Sequence, residues 1–271
     1  MQVILHSCPC DGSISVLTKG GICGIIVCEN NTVREEMKMI YVTSDLHGYS
    51  LEDFVEFLDS TGFCEDDVCY VLGDVIDRGS EGVDLLKWIM KQPNVVLLLG
   101  NHEEMMLECE FVFAEITNES VDSLSKSSLE KLYLWQFNGG GETLKALRKQ
   151  TPRVRAEILE YLKNAPLYKE VECGGRKFVL SHSGLGNFDK DKPLSEYTRH
   201  DLLWTRPDYF DTFYDDKILV FGHTPSRLYG KEFGGRAVNR GSWIDIDAGV
   251  SGGYDPMILR LDDLREFYMN S

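Results

Sequence analysis

Five short motifs carry residues able to bind metals and move protons. They are Asp45-Leu46-His47; Gly73-Asp74 with Asp77-Arg78-Gly79; Gly100-Asn101-His102-Glu103; Ser181-His182; and Gly222-His223. The donors are carboxylate, imidazole and amide, with no thiolate among them, a set that suits Mn²⁺, Fe or Zn²⁺. They are too many for one tetrahedral ion and fit two ions that share a carboxylate. Asp74, midway among the motifs, is the natural bridge. Two ions about 3.5–4 Å apart can activate water, clamp a phosphoryl oxygen and stabilise in-line displacement. A single Asp-x-His after a strand is ordinarily a cap or a surface turn, and a single strand-end histidine is ordinarily a satisfied structural group. Here four of the six histidines sit in equivalent positions. Repetition of that kind reads as a metal site.

Each motif needs an element to deliver it. Residues 39–44, 68–72 and 95–99 are short apolar runs, the pattern of strands buried on both faces, and each runs into one of the first three motifs. Helical spacing over 51–60 (Leu51, Phe54, Val55, Leu58) and over 82–90 separates them. Strand and helix alternating at this pitch predict βαβ units and a mainly parallel sheet. The carboxyl ends of such strands converge on one crevice, so residues distant in sequence meet there. Further helices are expected over 127–137, 142–149 and, after Pro152, 153–162. Strands over 167–172 and 177–181 should form a hairpin around Gly174-Gly175. Strands over 218–221, 243–247 and 257–261 complete a second set. Without repeats or low-complexity tracts, the fold class is read as α/β, one domain with a helical insertion.

Bulk properties narrow the partners. The chain has 271 residues with 28 Lys+Arg against 44 Asp+Glu, a formal charge of −16. That disfavours nucleic acid as a bulk partner, but a bound cation inverts the local field and admits small phosphorylated substrates. No apolar run approaches the roughly 20 residues that span a bilayer, so neither a membrane nor nucleic acid is expected as a partner. Cys64, Cys69, Cys109 and Cys173 are scattered without paired spacing, which fits reduced thiols and a cytoplasmic protein. Cys8, Cys10, Cys23 and Cys28 crowd the first thirty residues but lack C-x-x-C spacing, so they do not read as a zinc site.

Taken in order, D-x-H (Asp45, His47), G-D-x-x-D-R-G (residues 73–79), G-N-H-E (residues 100–103), His182 and G-H-T-P (residues 222–225) resemble the calcineurin-like metallophosphoesterases. Among these they resemble the phosphoprotein phosphatase family of serine/threonine phosphatases, nearest its small bacterial and phage branch. Asn138-Gly139-Gly140-Gly141 and Asp247-Ala248-Gly249 add to the likeness, which covers residues 39–261. It implies a β-sandwich flanked by α-helices. It further implies that Asp45, His47 and Asp74 hold one metal and that Asp74, Asn101, His182 and His223 hold the other. His102 would be the general acid, oriented by Asp77, while Arg78 and Arg206 would grip the phosphate. Glu103 would be structural. His182-Ser183-Gly184-Leu185 departs from the H-G-G-L common in eukaryotic members, which puts regulatory partners in doubt and leaves the chemistry intact.

The resemblance implies a phosphomonoesterase for phosphoserine or phosphothreonine in proteins, using two divalent ions with Mn²⁺ first expected. A metal-bridging hydroxide would attack phosphorus directly, with no phosphoenzyme. The expected substrate is a phosphorylated protein or a small phosphoester, and the expected state a monomer. Symmetrical diadenosine tetraphosphate hydrolases share the metal centre but tend to carry Asp at the position of Glu103, which ranks that activity second. A binding module on a dead scaffold would have lost ligands or the acid, and none is missing. Residues 1–36 lack a signal-peptide pattern and any clear element. Arg34-Glu35-Glu36 can be encoded by a purine-rich run resembling a bacterial ribosome-binding site, with Met37 and Met39 just downstream. They are therefore expected to be a disordered extension or the product of a misplaced start, with the catalytic domain at 37–271.

Overall fold

The computed structural model describes residues 4–7, 14–17, 38–114 and 125–269. The chain divides into two units, Met1–Met37 and Lys38–Ser271. In the first, β1 (Ile4–Ser7) and β2 (Ile14–Leu17) pair antiparallel, with Ile4 opposite Leu17 and Ser7 opposite Ile14. No element was expected there. The two runs are rich in β-branched and aliphatic residues, and Pro9 and Asp11-Gly12, residues of turn chemistry, lie between them in sequence. The rest of the segment, the candidate disordered extension with its four cysteines, lies outside the described residues.

The second unit begins as the alternation predicts. β3 (Ile40–Thr43), α1 (Leu51–Ser60), β4 (Val68–Val71), α2 (Gly82–Ile89) and β5 (Val95–Leu97) follow one another, and β3, β4 and β5 pair in parallel. Ser50 caps α1 by accepting the Asp53 amide, and Phe54, Phe57 and Leu58 form its buried face. α3 (Asn101–Glu108) starts directly at the third motif. The sequence pattern places Asn101, His102 and Glu103 at a strand end and predicts no helix there. The insertion is α4 (Lys126–Phe137), α5 (Gly140–Arg148) and α6 (Pro152–Lys163), with Ser125 and Thr151 capping the first and last. Then come β6 (Tyr168–Cys173), β7 (Arg176–Ser181), a short α7 (Arg199–Leu203), β8 (Ile218–Phe221), β9 (Val238–Asn239), β10 (Trp243–Asp245), β11 (Met257–Arg260) and β12 (Arg265–Tyr268).

These strands form two mixed five-stranded sheets instead of one mainly parallel sheet. Their orders are β12-β11-β3-β4-β5 and β6-β7-β8-β10-β9. Each contains three parallel strands, β3-β4-β5 at one side of the first and β7-β8-β10 at the centre of the second. The helical crossovers impose that direction on the first set. Antiparallel edges come from the hairpin through Gly174-Gly175, where both φ angles are positive, from β11 with β12, and from β9 with β10. β12 escapes a hydropathy reading because Arg265-Glu266-Phe267-Tyr268 is charged and only half buried.

Alternation along the strands builds three cores. Val42, Tyr70, Phe178, Leu180, Val220, Ile244 and Leu259 pack between the sheets. Tyr41, Cys69, Val71 and Leu97 face the helices α1 to α6. Val179, Leu219, Phe221 and Trp243 face the loops around α7. Both faces of both sheets are thus covered. That explains why the strands read as unbroken apolar runs, and it is the helix-flanked sandwich that the resemblance implies.

Candidate metal centre and active site

The parallel strands of both sheets open onto one cluster. Asp45 follows β3, Asp74 follows β4, Asn101 opens α3 after β5, His182 follows β7 and His223 follows β8. The strand-end loops are zipped together by backbone bonds, with the Asp45 amide donating to Gly73 O at 3.1 Å and the His47 amide to Asp74 O at 2.8 Å. This path needs unusual backbone. Asp45, His47, Asp74, Asp77, Arg78 and His223 all have positive φ, and among the described residues only Asn187 and Leu264 join them outside glycine. Such conformations persist only where the surroundings enforce them, and they gather at functional sites. Gly100 and Gly222 permit the close approach, since a Cβ on either would strike the carboxylate of Asp74 or Asp45.

The donors form two sets that meet at Asp74. In one, His47 Nε2 lies 3.7 Å from Asp45 Oδ1 and 3.7 Å from Asp74 Oδ2. His47 Nδ1 bonds Ile76 O, which leaves Nε2 for the cluster. Asp45 Oδ2 accepts from Ser44 Oγ and the His223 amide, which leaves Oδ1. In the other set, His182 Nε2 lies 2.8 Å from Asn101 Oδ1 and 3.4 Å from Asp74 Oδ1, and His223 Nδ1 lies 2.9 Å from the same Asn101 oxygen. His182 Nδ1 donates to Leu72 O at 2.7 Å, and His223 bonds the Trp204 backbone. With neutral rings, His182 Nε2 and His223 Nδ1 therefore face the Asn101 oxygen with no hydrogen between them, while His47 Nε2 accepts from Arg78. Burial favours the neutral ring at His47 and His223, pushing both well below the usual histidine range. A divalent cation relieves such an arrangement, so the donor set fits two metals. Asp74 offers a different oxygen to each set.

His102 is buried beside these groups. Its Nδ1 lies 2.7 Å from Asp77 Oδ2, and Arg78 spans from His47 Nε2 (2.7 Å) to His102 Nε2 (3.0 Å). His102 Nε2 also lies 3.7 Å from Asp74 Oδ2, so His47, Asp74 and His102 form a tight group of their own. Burial, then the Arg78 charge, depresses the imidazole, while burial lifts Asp77 to about 7. An anionic phosphoester at Nε2 acts in the opposite sense on the imidazole. Arg206 is exposed at the edge of the site, where its charge acts on His223, Asp245 and Asp247.

Glu103 is fully buried and binds no reacting position. Its carboxylate accepts from the amides of Asp74 (2.9 Å), Val75 (2.9 Å), Ile76 (3.3 Å) and Gly100 (3.0 Å), tying the second motif to the third. Sequence reasoning missed Trp135 and Thr143, whose side chains reach Asp77 from α4 and α5. It also missed Asp245, a buried carboxyl with Oδ2 unpartnered, which burial and then the charge of Asp247 push far above the usual carboxylate range.

A family model described as calcineurin-like phosphoesterase matches residues 38–252. The chain belongs to the calcineurin-like phosphoesterases. It is therefore a metal-dependent phosphoesterase hydrolase, of a family whose centre holds two metals. Serine/threonine-protein phosphatase 2 of Salmonella typhimurium is 30% identical over 171 residues, 62% of this chain and 67% of that protein. The asymmetrical bis(5'-nucleosyl)-tetraphosphatase PrpE of Anoxybacillus flavithermus is 26% identical over 217 residues, 69% of this chain and 79% of that protein. In fold, this phosphoesterase is similar to a protein serine/threonine phosphatase from Saccharomyces cerevisiae. The TM-score is 0.54 at 16% identity, covering 86% of this chain and 81% of the other.

Proposed function

We propose that the chain is a phosphomonoesterase that removes phosphate from phosphoserine or phosphothreonine in proteins, with Mn²⁺ as its working metal. The observation that carries the reading is the Asp77–His102 pair set beside the shared Asp74 carboxylate. An alkoxide is a poor leaving group and needs a proton as its bond to phosphorus breaks, whereas a nucleotide phosphate leaves without one. A buried, oriented imidazole is thus most useful against an alkyl phosphate. The two metals, when bound, supply Lewis acidity and a nucleophile from water at neutral pH.

The chain's own groups would then act as follows. Asp45, His47 and Asp74 hold one ion, and Asp74, Asn101, His182 and His223 hold the other. Arg78, and Arg206 from the edge, grip the phosphoryl oxygens with planar guanidinium forks. His102 gives the proton on Nε2 to the leaving oxygen, which takes the electron pair of the broken P–O bond, while water supplies the new oxygen on phosphorus. Asp77 holds the other face of the ring. The protein would work as a monomer in the cytoplasm; the four cysteines of the second unit are free, in keeping with a reducing setting.

A second reading, hydrolysis of dinucleoside tetraphosphates, is favoured by the PrpE relative, which spans more of the chain than the phosphatase does. A substrate panel with added Mn²⁺ separates the two: an aryl phosphate, a phosphothreonine peptide and diadenosine tetraphosphate. Efficient cleavage of the tetraphosphate with an inert phosphopeptide would overturn the first reading.

A further inference from the structure

We propose that Trp135 and Thr143 are positioning residues for proton transfer, so that the helical insertion governs how well the enzyme expels poor leaving groups. The inference rests on His102 being the acid and adds to that reading the groups that aim it. Asp77 is wholly buried, and both its oxygens are engaged. Oδ1 accepts from Thr143 Oγ1 at 2.5 Å and from Trp135 Nε1 at 3.2 Å; Oδ2 accepts from Trp135 Nε1 at 3.0 Å and faces His102 Nδ1 at 2.7 Å. The Asp77 amide in turn donates to Thr143 Oγ1 at 2.9 Å, which turns the hydroxyl hydrogen toward the carboxylate. Two donors on a buried carboxylate favour its anion. Held in that orientation, Asp77 Oδ2 accepts from His102 Nδ1 at 2.7 Å and leaves Nε2 turned toward Asp74 and the donor cluster.

The backbone between the two helices is shaped to the same purpose. Gly139, at φ 102°, accepts the Arg78 amide at 3.1 Å. A Cβ there would meet Arg78 Cγ at 2.7 Å, and one on Gly140 would meet Trp135 Nε1 at 2.5 Å. The α4–α5 elbow is thus fitted to Arg78 through Gly139 and, through Gly140, to the indole that reaches Asp77. The polar atoms of Thr143 and Trp135 hydrogen-bond to Asp77 rather than to any of the candidate metal ligands. Their influence passes through Asp77 to one proton.

Thr143→Val removes the hydroxyl at nearly constant volume. Turnover of wild type and variant with Mn²⁺ is compared on glycerol phosphate, an alkyl ester, and on an activated aryl phosphate, with bound metal measured in parallel. The expected result is a loss in kcat of about 10- to 100-fold on the alkyl ester, less than about 3-fold on the aryl ester, and unchanged metal content. Thr143→Ser should restore the alkyl rate to within about 3-fold. Trp135→Phe, which keeps the ring and loses the N–H, should show the same split and serves where Thr143→Val does not fold. Equal losses on both esters, or loss of metal, would overturn the proposal. A wild-type enzyme that cleaves glycerol phosphate but no phosphopeptide would refute the protein-phosphatase reading and leave this one standing.

Discussion

Replacing Glu103 by Gln changes one atom and tests whether that carboxylate holds the site's frame. Oε1 accepts from Val75 and Ile76, and Oε2 from Asp74 and Gly100. The amide keeps one oxygen, which still serves two backbone donors. Its nitrogen turns two hydrogens toward the other two. Each buried donor left without a partner costs about 1–3 kcal/mol, so the substitution should cost roughly 2–6 kcal/mol. At about 2–4 °C per kcal/mol for a domain of this size, melting should fall by roughly 5–20 °C. Because the orphaned amides include that of Asp74 or its neighbour Val75, metal affinity should fall as well. Thermal and urea unfolding of the Gln and Ala variants, with metal stoichiometry, would measure both effects, and Ala should lose more. A Gln variant within about 0.5 kcal/mol of wild type, with full metal content, would refute the reasoning.

Other substitutions separate the remaining roles. Asp74→Asn should abolish turnover while leaving the fold largely intact, because one carboxylate serves both donor sets; wild-type turnover and metal content would contradict a shared ligand. His102→Asn should retain metal and lose far more rate on alkyl than on aryl phosphates, and uniform losses would argue against its role as the acid. A chain beginning at Met37 keeps every candidate site residue and should match the full chain in turnover. A clear drop in activity or melting temperature, or a native peptide from upstream of Met37, would show that the N-terminal unit matters.

The strand-end motifs were legible because each pairs an apolar run with residues that a sheet edge rarely needs. Parallel strands within one sheet explain why Asp45, Asp74 and Asn101 meet, but it is the packing of the two sheets that brings His182 and His223 to them. The division into two sheets was not legible from periodicity, since strands covered on both faces look alike whichever sheet they join; only the family resemblance implied a sandwich. Trp135 and Thr143 were hidden for another reason. Each is an ordinary helical residue until folding brings it across 58 or 66 positions to Asp77. The run of positive φ angles was equally silent, because Asp, His and Arg carry no glycine signal.

The two donor sets draw on the sandwich unequally. Asp45, His47 and Asp74 all extend from the sheet containing β3 and β4, so an ion among them joins neighbouring loops of one layer. Asn101 and Asp74 come from that layer, but His182 and His223 come from the other. An ion there would rivet both layers, and its binding energy would become part of what holds the sandwich shut. Ions so held would differ, the first serving the chemistry alone and the second the chemistry and the architecture. Stepwise chelation should pull them apart: withdrawal of one ion silences turnover with little change in melting, and withdrawal of the other loosens β7 and β8 from β4.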